Sequence, residues 1–165
     1  MIFDLEPIFN NIGSSLSVDY TLDFSDIELN LTKPFVKPIS VKGAFKNSAG
    51  VVSVCATASF TLSLFCDRCA AAFSREYSIP VEHTLVTQLN DESNDELICI
   101  DSFRFELDEL VSDDIFLTLP SKFLCRSDCM GLCAECGQNL NEGPCSCKKS
   151  VDPRLAGLLQ LLDNT

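Results

Sequence analysis

The strongest pattern in the chain is an alternation of apolar and polar residues over positions 52–64. Its even positions are apolar, and its odd positions are mostly serine and threonine, with Cys55 among them. Successive side chains of a strand point to opposite faces, so a period of two predicts a long, half-buried β-strand. Weaker alternation over 18–24, 39–45 and 73–85 predicts further strands, with Lys46–Gly50 as a hairpin loop.

Helical spacing of apolar residues replaces alternation in three other stretches. They are residues 4–12, residues 107–119 ahead of Pro120, and a terminal segment after Asp152-Pro153 with a stripe of Leu155, Leu158, Leu159 and Leu162. Apolar residues three or four positions apart share one face of a helix, so each stretch predicts an amphipathic helix.

The remaining elements are short. Ile27, Leu29 and Leu31 continue an alternating pattern, and 97–100 and 103–105 are candidate short strands. Residues 90–96 are almost wholly polar and predict a loop. We therefore expect an α+β fold, mainly an antiparallel β-sheet or partly closed barrel with a few short helices. Residues 1–120 would form the sheet domain, and residues 121–165 a cysteine-rich tail with a terminal helix.

The tail has an unusual composition. Six of the ten cysteines lie in residues 125–147, where the only other bulky apolar side chains are Met130, Leu132 and Leu140. So little apolar surface does not offset the entropy lost when the segment is ordered. Something other than a hydrophobic core must therefore hold the tail in one conformation.

The cysteine spacing favours bound zinc as what holds the tail in shape, so residues 121–165 would be a zinc knuckle with a terminal helix. The N-terminus lacks the basic and apolar regions of a secretory signal, and no apolar run approaches the length of a membrane span. We therefore expect a cytoplasmic protein whose thiols stay reduced, so that clustered cysteines are metal ligands before they are disulfides.

Eight of the cysteines divide most simply into two sites of four sulfurs. One would contain Cys133, Cys136, Cys145 and Cys147, and the other would contain Cys66, Cys69, Cys125 and Cys129 and would tie the tail to the sheet. Pairs at i and i+3 or i and i+2 can each present two sulfurs to one tetrahedral ion. Cys125 and Cys129, at i and i+4, would do so from one face of a helical turn. A single site drawn from Cys129, Cys133, Cys136 and one later cysteine is the competing arrangement.

Catalysis has little support in the sequence. Four thiolates close the coordination shell that a catalytic zinc keeps open. His83 is the only histidine, which leaves no second imidazole for acid–base work, and we expect it to be packed or hydrogen-bonded. A redox pair formed by Cys66 and Cys69 would need a helix N-terminus after the strand that precedes it, to lower the pKa of one thiol. The sequence predicts another strand there instead. Cys55 and Cys99 are expected to be buried, free thiols.

Charge is distributed unevenly. The formal net charge is −12, yet residues 29–66 contain no acid and four lysines, whereas residues 91–114 contain ten acids and one arginine. Because its net charge is negative, the chain as a whole should be repelled by RNA and DNA phosphates. The dense acidic stretch is either a solvated surface or a face for a basic protein partner.

The cysteine pattern resembles the C-terminal signature of the YceD family. It runs Cys125-x3-Cys129-x-Gly-Leu-Cys133-x2-Cys136-Gly-x-Asn-Leu-Asn-x3-Cys145-x-Cys147 and is followed by Asp152-Pro-Arg154 and a leucine stripe. Cys66-x-Arg68-Cys69 after a long strand is similar to the other signature of that family, and the resemblance covers essentially the whole chain. Ala134 stands where many members have proline, which alters no chemistry.

The resemblance implies a function that the spacing does not. YceD proteins are large ribosomal RNA subunit accumulation proteins, so a cytoplasmic, bacterial, non-enzymatic factor that supports 23S rRNA production or stability is implied. Its acidic face would contact basic ribosomal or rRNA-processing proteins, with no membrane and no small-molecule substrate involved. Any rRNA contact would fall to a small basic set, Lys33, Lys37, Lys42, Lys46 and Arg68.

Two other hypotheses remain open from the sequence. The first is a thiol oxidoreductase that uses Cys66 and Cys69. The second is a structural zinc protein that binds another protein and has no role with ribosomes. Metal content and thiol reactivity separate the first from a zinc protein, and co-sedimentation with ribosomal precursors separates the second from a ribosome-biogenesis factor.

Overall fold

The computed structural model describes residues 1–29, 31–88, 97–100 and 102–147, and it divides into two compact units. The first unit comprises Met1–Leu64 and Ala72–Lys122, and the second comprises Phe65–Ala71 and Phe123–Thr165. Residues 65–71 thus belong to the same unit as the cysteine-rich segment. The loop expected at 90–96 and the helix expected after Asp152 lie outside the described residues.

Strands dominate the first unit. In chain order the elements are β1 (Ile2–Asp4), α1 (Glu6–Asn10), β2 (Ser15–Leu22), β3 (Ile39–Ser48), β4 (Val51–Phe65), β5 (Ala72–Val86), β6 (Leu97–Cys99), β7 (Arg104–Glu106) and α2 (Leu107–Thr118). A five-stranded sheet has the order β2-β3-β4-β5-β6, and β1 and β7 form a separate two-stranded sheet. The expected α+β fold with a mainly antiparallel sheet is confirmed, and the described strands form no closed barrel.

The alternation of β4 matches its burial. Its even positions from Val52 to Leu64 are all buried, with relative exposures of 0–7%, while most of the odd positions are exposed. Ile39, Val41 and Phe45 of β3 are fully buried on the same face of the sheet. One face of the sheet therefore forms the hydrophobic core of this unit, and the other carries serine and threonine.

The β3–β4 connection is tighter than the expected five-residue loop. Only Ala49 and Gly50 lie between the strands, and both have positive φ, 56° and 90°. A two-residue turn of this kind matches the right-handed twist of a hairpin, and the second position suits glycine. The amide of Asn47 is buried beside the turn, where it donates to the Ile8 carbonyl at 2.7 Å and accepts from the Gly50 N–H at 3.0 Å.

Gly43 allows β3 and β4 to approach closely. A Cβ at this position would lie 2.2 Å from the carbonyl oxygen of Cys55 and 2.3 Å from the Cα of Ala56. Both atoms belong to the main chain, so no side-chain rotation would relieve the clash. The local register of the two strands thus requires glycine here.

Helix α2 covers part of the core, as the spacing of its apolar residues predicted. Leu107, Val111 and Ile115 are fully buried, and the helix ends at Thr118. Its C-cap, Leu119, has the extended backbone that is typical of a residue before proline. His83 of β5 lies 2.8 Å from a carboxylate oxygen of Asp114 on the same helix. The expectation that His83 is a hydrogen-bonded residue is thereby confirmed.

Three local expectations were wrong. Residues 2–4 form a strand paired with β7, so the helix expected over 4–12 is only the five residues of α1. Ile27, Leu29 and Leu31 do not line one strand, because Leu29 makes only an isolated β-bridge with Thr32 and Leu31 has a φ of 62° and is 96% exposed. Cys55 and Cys99 are exposed, since Cys55 lies on the outer face of β4 and Cys99 ends an edge strand.

Membrane insertion by a helix has no candidate in this structure. Across residues 1–29, 31–88, 97–100 and 102–147, no helix combines the length and the apolar composition that a bilayer span requires.

Candidate metal centres

Eight thiols of the second unit gather in two groups of four. We call Cys66, Cys69, Cys125 and Cys129 the hairpin cluster, and Cys133, Cys136, Cys145 and Cys147 the tail cluster. Within each cluster all four sulfur atoms lie within 4.8 Å of one another. The grouping is the one that the spacing predicted, and the competing single site over Cys129, Cys133 and Cys136 is not the arrangement that the structure brings together.

A tight turn presents the first pair of the hairpin cluster. The Cys66 N–H donates to the Ala71 carbonyl at 2.9 Å, and the Ala70 N–H donates to the Cys66 carbonyl at 2.8 Å, with Ala70 in the left-handed region at a φ of 57°. These bonds reverse the chain between Cys66 and Cys69. Both sulfurs consequently leave the turn on one side.

Asp67 aligns the second pair with the first. Its carboxylate accepts from the Phe123 N–H at 2.6 Å, and its own N–H donates to the Phe123 carbonyl at 2.9 Å. The chain then makes a turn in which the Cys129 N–H donates to the Arg126 carbonyl at 3.2 Å. The helical turn that the i, i+4 spacing of Cys125 and Cys129 predicted is not formed. The residues from Phe123 onward thereby carry Cys125 and Cys129 back to the first pair.

Arg68 is a structural residue of the same cluster. Its guanidinium donates to the Cys129 carbonyl at 2.9 Å, and its carbonyl accepts from the Leu132 N–H at 3.1 Å. Both contacts stabilise the segment on which Cys129 lies. A guanidinium used in this way has fewer donors left for a phosphate group, which weakens Arg68 as a candidate RNA contact.

The tail cluster is built on a second turn. The Gly137 N–H donates to the Cys133 carbonyl at 2.9 Å, and the Cys133 N–H donates to the Gln138 carbonyl at 2.8 Å. This turn presents Cys133 and Cys136, and the following loop returns Cys145 to within 3.4 Å of Cys133, measured between sulfurs.

Sulfur separations in both clusters suit a tetrahedral ion. Zinc–sulfur bonds of about 2.3 Å place the corners of the tetrahedron about 3.8 Å apart. The Cys66–Cys129 and Cys69–Cys125 pairs are both separated by 3.7 Å. A disulfide would need about 2.05 Å, and all ten cysteines are free. Both donor sets therefore fit a thiolate-binding metal.

The thiols of each cluster differ in acidity. Burial opposes ionisation of Cys66, but main-chain N–H groups around it outweigh burial and lower its pKa to about 6. Burial and the neighbouring thiols raise the pKa of Cys125 to about 12. In the tail cluster, N–H groups of the turn lower the pKa of Cys133 to about 7, whereas a hydrogen bond with the Cys136 thiol and burial raise the pKa of Cys147 to about 12. A bound cation would favour the thiolate of all four in each cluster.

Accessibility separates the two clusters. Cys66, Cys69 and Cys129 are only 2–5% exposed, whereas Cys136 and Cys147 of the tail cluster are exposed. Burial within a group of four sulfurs disfavours Cys66 and Cys69 as an oxidoreductase pair, because a redox thiol needs access to its substrate.

The lysines expected to contact RNA are exposed, but two of them are paired. Lys33 lies 3.0 Å from Asp26, and Lys42 lies 3.6 Å from Asp19, its neighbour across β2 and β3. Lys37 and Lys46 are exposed, and Lys46 shares the outer face of β3 with Lys42. The acid-free stretch therefore offers less positive charge than its composition indicates.

Two residues of these centres were missed by sequence reasoning. Asp67 lies within the Cys66–Cys69 turn and holds Phe123. Asn141 lies in sequence between Cys136 and Cys145 of the tail cluster, but its amide donates to the sulfur of Cys129 in the hairpin cluster at 3.3 Å. Polar residues beside paired cysteines were the available signal. Their partners depend on how two distant segments meet, which no local pattern specifies.

Comparison with known proteins points to one family. The family model for the large ribosomal RNA subunit accumulation protein YceD matches residues 54–162, well over half of the chain and inclusive of both clusters. Uncharacterized protein ML1660 of Mycobacterium leprae is 27% identical over 172 aligned positions, which cover 98% of this chain and 77% of that protein.

Other mycobacterial proteins match over a shorter region. Uncharacterized proteins Rv2926c of Mycobacterium tuberculosis and Mb2951c of Mycobacterium bovis are each 39% identical over 57 residues, which cover 34% of this chain and 28% of each relative. No solved structure matches the chain at a significant level.

Proposed function

Because the chain belongs to the YceD family of large ribosomal RNA subunit accumulation proteins, we propose that it is a non-catalytic bacterial factor that supports accumulation or processing of 23S rRNA. The observation that carries this proposal is the family match over residues 54–162, which include all eight clustered thiols. A ribosome-associated role follows from membership of the family. The support of 23S rRNA accumulation is our inference, and the protein would act in the cytoplasm.

Zinc is the metal that we propose for both clusters. Four cysteine sulfurs within 4.8 Å of one another are the donor set of a structural zinc site. Such a site keeps no open position for a water or substrate, so it would hold the second unit in shape and carry out no reaction. Zinc binding to small cysteine-rich peptides is worth roughly 10–16 kcal/mol at neutral pH. The few apolar side chains of this segment would contribute much less.

A basic protein is the partner class that the charge supports best. The net charge is −12, and Glu109 and Asp113 lie exposed one turn apart on α2. Opposite charges across an interface speed association and select partners. Ribosomal and rRNA-processing proteins with basic surfaces fit this requirement. Direct rRNA contact would rest mainly on Lys37 and Lys46, since Lys33 and Lys42 already face carboxylates.

Co-sedimentation with precursors of the large ribosomal subunit tests the proposal. We expect association that survives RNase treatment, weakens as salt is raised, and falls in the double variant Glu109→Lys/Asp113→Lys. The double variant Lys37→Glu/Lys46→Glu should retain association, and Lys122→Glu is the matched charge-reversal control because Lys122 is exposed outside the acid-free stretch.

The alternatives give different results in the same experiment. Association that is abolished by RNase and by Lys37→Glu/Lys46→Glu would contradict the protein-mediated form and indicate direct rRNA contact. Absence of any association, with metal bound, would contradict the ribosomal role and leave a structural zinc protein that binds another partner. In a separate assay, disulfide reduction by the wild type that is lost in Cys69→Ser would indicate an oxidoreductase instead.

A further inference from the structure

Asn141 belongs in sequence to one cluster and contacts the other. It lies between Cys136 and Cys145, on the loop that a metal in the tail cluster would close. Its Nδ2 nevertheless lies 3.3 Å from the sulfur of Cys129, a member of the hairpin cluster.

The orientation of this amide is fixed by its other partners. The Oδ1 atom of Asn141 accepts from the Met130 N–H at 2.8 Å and from the Arg126 guanidinium at 2.7 Å. Both are donors, so the oxygen must face them and the NH₂ group must face Cys129. The same NH₂ group donates to Oδ1 of Asn139 at 2.7 Å, which accounts for its second hydrogen.

We propose that Asn141 is a positioning residue that couples the two clusters, so that metal bound in the tail cluster raises the metal affinity of the hairpin cluster. The proposal rests on the metal binding proposed above. An N–H that donates to a metal-bound thiolate stabilises its charge, and loss of such outer partners typically lowers metal affinity 10–100-fold.

Loop closure supplies the direction of the coupling. Residues 137–144 connect Cys136 to Cys145, and a metal held by both halves of the tail cluster ties the ends of that loop together. The loop then has fewer conformations to lose when Asn141 takes its place beside Cys129. The coupling is reciprocal, so metal in the hairpin cluster should also favour metal in the tail cluster.

The test measures each cluster separately in the full chain. Loading with ¹¹³Cd²⁺ should give one cadmium resonance for each four-thiolate site, and the resonance that is lost in Cys145→Ser/Cys147→Ser belongs to the tail cluster. Titration with a competing chelator then gives the cadmium affinity of each site. Gln138→Ala is the matched control, because it removes an exposed side-chain amide from the same loop and keeps the main-chain carbonyl that accepts from the Cys133 N–H.

Asn141→Ala should lower the cadmium affinity of the hairpin cluster about tenfold or more, while Gln138→Ala leaves it unchanged. Asn141→Asp should show the same loss, because it keeps the oxygen that Met130 and Arg126 contact but has no NH₂ group. Cys145→Ser/Cys147→Ser should also lower this affinity, and adding Asn141→Ala to that variant should lower it little further.

Three results would overturn the coupling. The first is an unchanged cadmium affinity of the hairpin cluster in Asn141→Ala, and the second is wild-type affinity in Asn141→Asp. The third is a combined variant, Asn141→Ala with Cys145→Ser/Cys147→Ser, whose fold loss of that affinity equals the product of the two separate losses. Each presupposes a chain that binds two metal ions. A wild-type chain that binds no metal would instead contradict the proposed zinc sites, so the two failures are distinguishable.

Discussion

The sulfur atoms of Cys66 and Cys129 lie 3.7 Å apart, although 63 residues separate them in the chain. That distance is the edge of a zinc–thiolate tetrahedron and is far too long for a disulfide. Ordering of the segment from Phe123 to Cys147 should therefore depend on the ion that the thiolates share.

Chelation should unfold the cysteine-rich segment and leave the sheet intact. Without a metal, residues 123–147 retain few buried apolar side chains, so we expect EDTA to speed proteolysis within them sharply. Limited proteolysis with mass spectrometry locates the cuts. Cleavage within β3 and β4 should stay slow and serves as the internal control, while equal protection of residues 123–147 with and without EDTA would contradict the prediction.

Loss of a single sulfur from the hairpin cluster should release one metal ion. In Cys66→Ser a buried ligand becomes a hydroxyl, which is a much weaker ligand for zinc. Native mass spectrometry should show two zinc ions per wild-type chain and one per variant chain. Cys55→Ser is the control, since Cys55 is exposed and belongs to neither cluster. Equal metal content in the two variants would refute the assignment of Cys66 as a ligand.

The two clusters should differ in how fast they lose protection. Cys136 and Cys147 are exposed, whereas Cys66, Cys69 and Cys129 are buried. On addition of a chelator with N-ethylmaleimide, the tail cluster should therefore be alkylated first. Peptide mass spectrometry over time gives the order for each cysteine. Simultaneous alkylation of both clusters would indicate that they open as one unit, and prior alkylation of the hairpin cluster would contradict the prediction.

Gly43→Ala should destabilise the sheet by several kcal/mol, at the upper end of single substitutions. The added Cβ would lie 2.2 Å from a main-chain oxygen of β4, so the two strands would have to separate. Ala44→Ser is the control, because Ala44 lies on the outer face of β3, opposite Ser17 of β2 and Cys55 of β4. Chemical denaturation measures both, and similar unfolding free energies for the two variants would show that the strands adjust freely.

How much of the fold was predictable follows from how local each signal is. The long strand β4 and the buried face of α2 were predicted because each repeats one period over many residues. Strands β1 and β7 have three residues each, and their pairing depends on the packing of Phe3 and Phe105 against Phe45 at ring separations of 5.3 and 6.1 Å. A pattern of three residues is too short to predict such a contact.

The metal centres show the same division. Spacing alone grouped the eight thiols, since each pair is local and the number of pairs limits the ways to combine them. Asp67 and Asn141 escaped prediction because each acts on a residue of another segment, Phe123 and Cys129 respectively. Such contacts exist only after the segments have met.

Metal analysis of the untagged protein, combined with a count of reactive thiols under native conditions, tests the central claim most directly. We expect two zinc ions per chain, with only Cys55 and Cys99 reactive before chelation and all ten cysteines reactive after it. A chain without bound metal, or one whose clustered cysteines are joined by disulfides, would contradict it.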